Sequence, residues 1–382
     1  MSIATRLDEA FLRAEVETAQ AIEGRLPTNL VADLRKWQFG AYGWTSPVNL
    51  LLTAAWYKWL FPQQDVCKIW AKDHLKKAIP GGFAIRSNDE AYTVPLVTKT
   101  SIAQGFCSPN SGMQGSRALE KMRGAGRIDR NTPIDQSVSF DMKLFQNILN
   151  DIDQCTPEQA HDVFCFLLRI GIEIREKRES QSASLLNSAV SGSASLGQIV
   201  NFTRSVSDPQ FVRIVAAYLA LPVVSAMVGG ALLQGMGGAK TAADTQSNSP
   251  GDFWFKTETG AVIGAEVKDR SKQIGFDILG AIEARKTNNA TMTHYLAISA
   301  AASAVSEQNL NDPFWRRNIE KLRSKVGVNV VCLSLDELAG LFTLSSGSIS
   351  DLLGQVTEQL TTTIDLKPDT IPAWRKQFLS DA

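Results

Sequence analysis

Net charge is what this chain most plainly lacks. Across 382 residues, 39 Lys and Arg offset 39 Asp and Glu, so no global field argues for nucleic acid as a partner. A local basic surface stays open. Histidine is scarce: His74, His161 and His294 are the only three, and they are scattered, which disfavours an HNH-like nuclease. The five cysteines (Cys67, Cys107, Cys155, Cys165 and Cys332) include no CxxC pair. Odd in number, they read as reduced thiols of a cytoplasmic protein, with neither a disulfide framework nor a zinc site. Gly and Pro, at 27 and 14, are not inflated, and 44% of the residues are hydrophobic. That composition excludes collagen-like, mucin-like and wholly disordered chains.

One long uncharged run is present, from Ile214 to Ala239. About 20 apolar residues can cross a bilayer. Here, however, the run is rich in Ala and Gly, holds Pro222 and Gln234, and ends in Gly235-Met236-Gly237-Gly238. It reads as a packed core helix or helix pair, with no membrane partner. The first 23 residues mix Arg6, Asp8, Glu9, Arg13, Glu15 and Glu17 with apolar positions, which predicts an amphipathic helix and not an export signal.

At roughly 150 residues per domain, the length suggests two domains or one with an insertion. Residues 1–175 read as a mostly helical region and 176–382 as a second domain. The run Leu50 to Leu60 has no breaker and stops before Pro62, as a helix should. Trp37, Trp44, Trp56, Trp59 and Trp70 fall in this first part and read as helical core, not as a stacking platform. A helix is expected over 162–179, a Ser-rich linker over 180–195, and a helical block from Phe211 to about Gln234. Beyond Gly251 the pattern alternates strand, helix and strand. No internal repeat is visible.

The segment that carries chemistry runs from Pro250 to Lys268. Two aromatic or β-branched runs flank Thr257-Glu258-Thr259-Gly260, a hairpin signal. A tight turn there pairs Asp252 with residue 265, 266 or 267. Glu266 and Lys268 are two apart on a strand, so they leave one face while Val267 leaves the other. Two carboxylates and an ammonium therefore converge at one end of the hairpin. Paired carboxylates with a phosphate are a common way to hold hydrated Mg²⁺, which prefers oxygen ligands. A lysine beside them can steer or deprotonate the attacking water and offset developing negative charge.

Pro250-Gly251-Asp252, 13 residues, then Glu266-Val267-Lys268 resembles the PD-(D/E)XK nuclease motif. Gly251 sets the Asp one place later than in that pattern. The resemblance covers roughly residues 210 to 335, with 273–286 as a following helix and 294–299 as a further strand. It implies an α/β (α+β) catalytic core with a central mixed sheet flanked by helices. It implies Asp252, Glu266 and the backbone carbonyl of Val267 as Mg²⁺ ligands, and Lys268 as the residue assisting the water. An additional acidic ligand from a preceding helix is open, with Glu173, Glu176 and Glu179 as alternatives.

Arg117, Lys121, Arg123, Arg127 and Arg130 lie close together, opposed by Glu120 and Asp129 alone, with Gly124 and Gly126 between. A solvated helix face would look the same. Beside a nuclease motif, contact with guanine or phosphate is the better reading. Asn110 and Gln114 just upstream can read adenine. Gly81 to Ser87, followed by Glu90, Pro95 and Arg117-Ala118-Leu119-Glu120, resembles the central region of SacI-type restriction endonucleases. That second resemblance implies a type II enzyme cutting double-stranded DNA, a homodimer matched to a palindrome, and a cognate DNA methyltransferase as genetic partner. The alternatives are another PD-(D/E)XK nuclease, acting in repair, junction resolution or transposition, and a DNA-binding protein with a degenerate hairpin that does not cut.

Overall fold

Apolar side chains at helical spacing dominate the first half of the chain and strand-forming runs punctuate the second. The resulting fold is mixed α/β. The structure, a computed structural model, describes residues 3–36, 46–70, 82–84, 104–106, 131, 141–186, 188–190, 194–236, 249–268, 273–364, 366–367 and 369–381. The chain divides into two units, Met1–Glu179 and Ser180–Ala382.

In the first unit, α1 (Ile3–Val16), α2 (Ala19–Glu23), α3 (Thr28–Lys36) and α4 (Ser46–Leu60) lead to a short parallel pair, β1 (Asp65–Trp70) and β2 (Gly82–Ala84). Helices α5 (Met142–Gln154) and α6 (Pro157–Leu186) follow, the latter running past Glu179 into the second unit. Asp141 caps α5 by accepting the Leu144 N–H, satisfying one of the donors that every helix start leaves orphaned. Trp56, Phe145, Leu149 and Phe164 fill one core with the small residues of α4. Thus Trp56 is core, as its helical spacing implies.

Of the Ser-rich linker expected over 180–195, residues 180–186 are instead helix. The last turns of α6 run through Ser180 to Leu186, because Leu185 is buried and Ser184 returns its hydroxyl to the Gln181 carbonyl, keeping the backbone helical. Beyond it, β3 (Ser188–Val190) pairs with the last strand of the chain.

The second unit continues with α7 (Leu196–Ser205), α8 (Pro209–Val228) and β4 (Ala231–Gln234). The helical block expected to reach Gln234 therefore stops at Val228. Gly229 and Gly230 hold φ of 77° and 132°, a region that L side chains rarely adopt, and the chain turns there into a strand. Then come β5 (Phe253–Thr257), β6 (Val262–Lys268), α9 (Phe276–Asn288) and β7 (Met292–Ser299). Helices α10 (Glu307–Asn311) and α11 (Pro313–Lys321), a π-turn at Leu322–Val326, β8 (Asn329–Ser334), α12 (Leu335–Leu344), α13 (Ile349–Thr362), α14 (Thr370–Phe378) and β9 (Leu379–Asp381) complete it.

The central sheet is five-stranded in the order β4-β5-β6-β7-β8. Its first two pairings are antiparallel and its last two parallel, since α9 crosses between β6 and β7 and α10 and α11 between β7 and β8. Side-chain alternation divides the sheet between two cores. Phe253, Phe255, Val267, Leu296 and Ile298 face α8, α12 and α13. Tyr295 and Ala297 face α9 and α11. Each large side chain buried in this way contributes about 1.5–3 kcal/mol. Helix α8 is long and apolar enough to cross a membrane, yet much of its surface is spent on this core, including Phe211, Ile214, Leu219 and Val223.

Candidate active site

The site is built on the β5–β6 hairpin. Its register sets Phe253 opposite Ala265 and Lys256 opposite Val262, and Asp252, just before β5, lies beside the Ala265 to Val267 stretch of β6. Gly251 is required at the entry. A Cβ there would lie 2.1 Å from the Ala265 carbonyl oxygen, so only glycine lets the chain pass this close before Asp252 N–H bonds that same oxygen at 2.7 Å. Asp252 then closes the hairpin end with its side chain: Oδ2 accepts the Val267 N–H at 2.8 Å. Lys268 passes its own carbonyl to Ala300 N–H on the β7 side, so by strand alternation the Val267 carbonyl faces the Asp252 edge.

Glu266 and Lys268 share a face, as their spacing requires, and pair directly: Lys268 Nζ lies 2.8 Å from Glu266 Oε1 and 3.3 Å from Asp277 Oδ2 in the first turn of α9. The other oxygen of Glu266, Oε2, accepts Arg285 Nη1 at 2.6 Å and the Tyr295 hydroxyl at 3.2 Å. Arg285 Cζ sits 5.5 Å from the centre of the Tyr295 ring, a cation–π geometry. Asp252 Oδ1 is paired at 2.8 Å with Arg213 from α8.

Burial drives the Asp252 carboxyl above its ordinary value; Arg213 and the Val267 N–H pull the other way and do not prevail. Burial also opposes ionisation of Glu266, but Arg285 and Lys268 outweigh it and hold this carboxyl below the usual range. The Lys268 ammonium likewise loses by burial and gains more from Glu266 and Asp277, so its pKa is raised. Two carboxylates in one site are thereby pushed in opposite directions, and Lys268 is a firm cation.

Sequence reasoning did not single out Arg213, Asp277, Arg285 or Tyr295. Two of them carry a signal in retrospect. Arg213 is the lone charge in the apolar α8. Arg285 sits seven residues after Ile278 and three after Ile282, on the buried face of α9, where a charge needs a partner. The other acids considered as ligands have partners of their own in the first unit: Glu173 and Glu176 with Arg169, and Glu179 with Arg175. The basic segment with Arg117, Lys121, Arg123, Arg127 and Arg130, and with Asn110 and Gln114, lies outside the described residues.

Other polar clusters occur among the described residues of the first unit. Asp65, Cys67 and Asp153 bring ligand atoms within 4.8 Å of one another. Their oxygens already serve the fold, since Asp153 accepts the Val66 N–H, Asp65 accepts the Cys67 N–H, and Lys58 stands 3.6 Å from Asp153. Cys165 Sγ lies 3.5 Å from His161 Nε2, but burial pushes the thiol up to about 12 and the imidazole down to about 4. That pair is neutral, with no thiolate nucleophile.

Asp252, Glu266 and the Val267 carbonyl offer oxygen donors alone, the chemistry of a hard ion such as Mg²⁺ and not of a thiophilic one, and the carboxylate oxygens are bonded within the protein. No known family model matches the chain, and no curated protein is significantly similar to it.

Proposed function

We propose that the protein is a Mg²⁺-dependent endonuclease of the PD-(D/E)XK type, acting on double-stranded DNA as a type II restriction enzyme. The observation that supports this most is the hairpin end, where Asp252 accepts the N–H of Val267, the neighbour of Glu266, and Lys268 pairs with Glu266 on one face. A mixed sheet with a helix crossing between β6 and β7 supplies the kind of core such a motif occupies. Reactive groups also stand at the carboxyl end of β6, where open α/β sheets bind ligands.

In this reading Asp252, Glu266 and the Val267 carbonyl would hold the ion, which when bound polarises the phosphodiester and acidifies a water. Hydrolysis breaks the bond from phosphorus to the 3′ oxygen; water supplies hydroxide to phosphorus and a proton to the leaving oxygen, giving 5′-phosphate and 3′-hydroxyl ends. Lys268 steers or deprotonates the water and offsets charge on the phosphoryl oxygens. Arg285 and Tyr295 keep the Glu266 carboxylate in one orientation. Homodimerisation and a methyltransferase partner belong to the same proposal.

A second reading has its own support. Each carboxylate oxygen of Asp252 and Glu266 already has a protein partner, as in a structural ion-pair network of a DNA-binding protein that does not cut. Incubating the purified protein with a panel of unmethylated phage DNAs, with Mg²⁺ or with EDTA, separates the two. Discrete bands with Mg²⁺ alone are expected. A smear would make the enzyme nonspecific, and intact DNA throughout the panel would leave the non-cutting reading.

A further inference from the structure

Asp252 and Glu266 each have an arginine, and the two arginines come from opposite faces of the sheet. Arg213 reaches Asp252 from α8, while Arg285 reaches Glu266 from α9. They differ in what holds them. Arg285 is 4% exposed, bonded to Glu266 and stacked on Tyr295, so it cannot leave without abandoning a buried carboxylate. Arg213 is 20% exposed and holds Asp252 Oδ1, an oxygen that the Val267 N–H does not use.

Among the described residues, the charges paired at the hairpin end are matched. Asp252, Glu266 and Asp277 face Arg213, Lys268 and Arg285. A divalent cation arriving at these ion-paired carboxylates meets like charge at close range, and the arriving negative charge of a phosphodiester relieves it. Lys268 can give up Glu266 Oε1 and keep Asp277. Arg213 needs a new anion, and a guanidinium is well suited to phosphate.

We infer that Arg213 is the displaceable counterion of this site: it occupies Asp252 Oδ1 until a divalent cation takes that oxygen, and its guanidinium then engages a phosphate of the bound DNA. This rests on the nuclease reading. It makes Arg213 a positioning residue in the free protein and a phosphate contact in the complex, and it makes metal and DNA bind cooperatively.

Calorimetric titration of the full chain with Ca²⁺ alone tests it. Without DNA, Arg213→Gln should bind Ca²⁺ about fivefold or more tightly than wild type, the low end of ordinary coupling between sites. Arg213→Lys, which keeps the cation, should stay near wild type. A merely structural arginine predicts the opposite sign, because its loss would loosen Asp252. On wild type itself, adding a DNA duplex should tighten Ca²⁺ binding by a similar factor after correction for DNA alone, and Arg213→Gln should lose that coupling. Unchanged or weaker Ca²⁺ binding by the Gln variant, or no coupling in wild type, overturns the inference. Mg²⁺-dependent cleavage by wild type is scored separately: cutting without the Arg213 effects refutes the counterion role and spares the nuclease reading, whereas the Arg213 effects on Ca²⁺ without cutting refute the nuclease reading.

Discussion

Asp252 and Glu266 are separated by environment more than by chemistry. Both are carboxylates at one hairpin end, but Asp252 titrates above its ordinary value and Glu266 below it. A carboxyl raised by folding favours the native state below its unfolded value and loses that contribution as pH rises through the folded pKa. Ionised Asp252 is thus a burden on the fold at neutral pH. Asp252→Asn should lower cleavage about a thousandfold or more, through loss of several kcal/mol of charge stabilisation. Its melting temperature relative to wild type should rise from acid to neutral pH; a relative fall would mean that Arg213 outweighs burial. Glu266 obeys the opposite sign: it contributes stability above its unfolded value and loses it as pH falls through the depressed folded one. Glu266→Ala leaves Arg285 buried without its counterion and should cost about 3–5 kcal/mol in urea unfolding. Glu266→Gln, which keeps an acceptor, should cost clearly less, and equal losses would argue that charge alone matters there.

The β5–β6 hairpin was legible because its determinants are local. Turn residues at 257–260 and period-two alternation set the register, and register sets which side chains share a face. Gly251 belongs to the same logic. Gly251→Ala must push the chain off the Ala265 carbonyl, at a cost of about 1–3 kcal/mol for overpacking. The accompanying displacement of Asp252 should reduce cleavage about a hundredfold, more than the stability loss alone would account for. Wild-type kcat in that variant, measured at saturating DNA, would show that the close approach is not needed for the site. The apolar block after Arg213 was harder to read. Composition alone favours continued helix to Gln234, and the Gly229-Gly230 pair was the overlooked stop. The serines at 180–186 misled in the other direction: they read as linker, but Leu185 finds a core and draws the helix onward.

The described residues form separate cores. One lies in Met1–Glu179, and two flank the sheet of Ser180–Ala382. Domains with their own cores need not unfold together. Scanning calorimetry should resolve more than one transition, and Glu266→Ala should lower the one belonging to the sheet while the other stays put. A single transition that shifts as a whole would mean that the two units unfold as one.

By itself the sequence determined the hairpin, the following helix and strand, the shared face of Glu266 and Lys268, and the nearness of Asp252 to them within one residue of register. All of these depend on backbone preference and alternation over a few residues. Only the tertiary structure decided what those three side chains meet. Arg213 precedes Asp252 by a helix and a strand, and Arg285 follows Glu266 by most of a helix. Each reaches its carboxylate because α8 and α9 pack on opposite faces of one sheet, and that pairing is a product of long-range packing, to which no local pattern in the chain is sensitive.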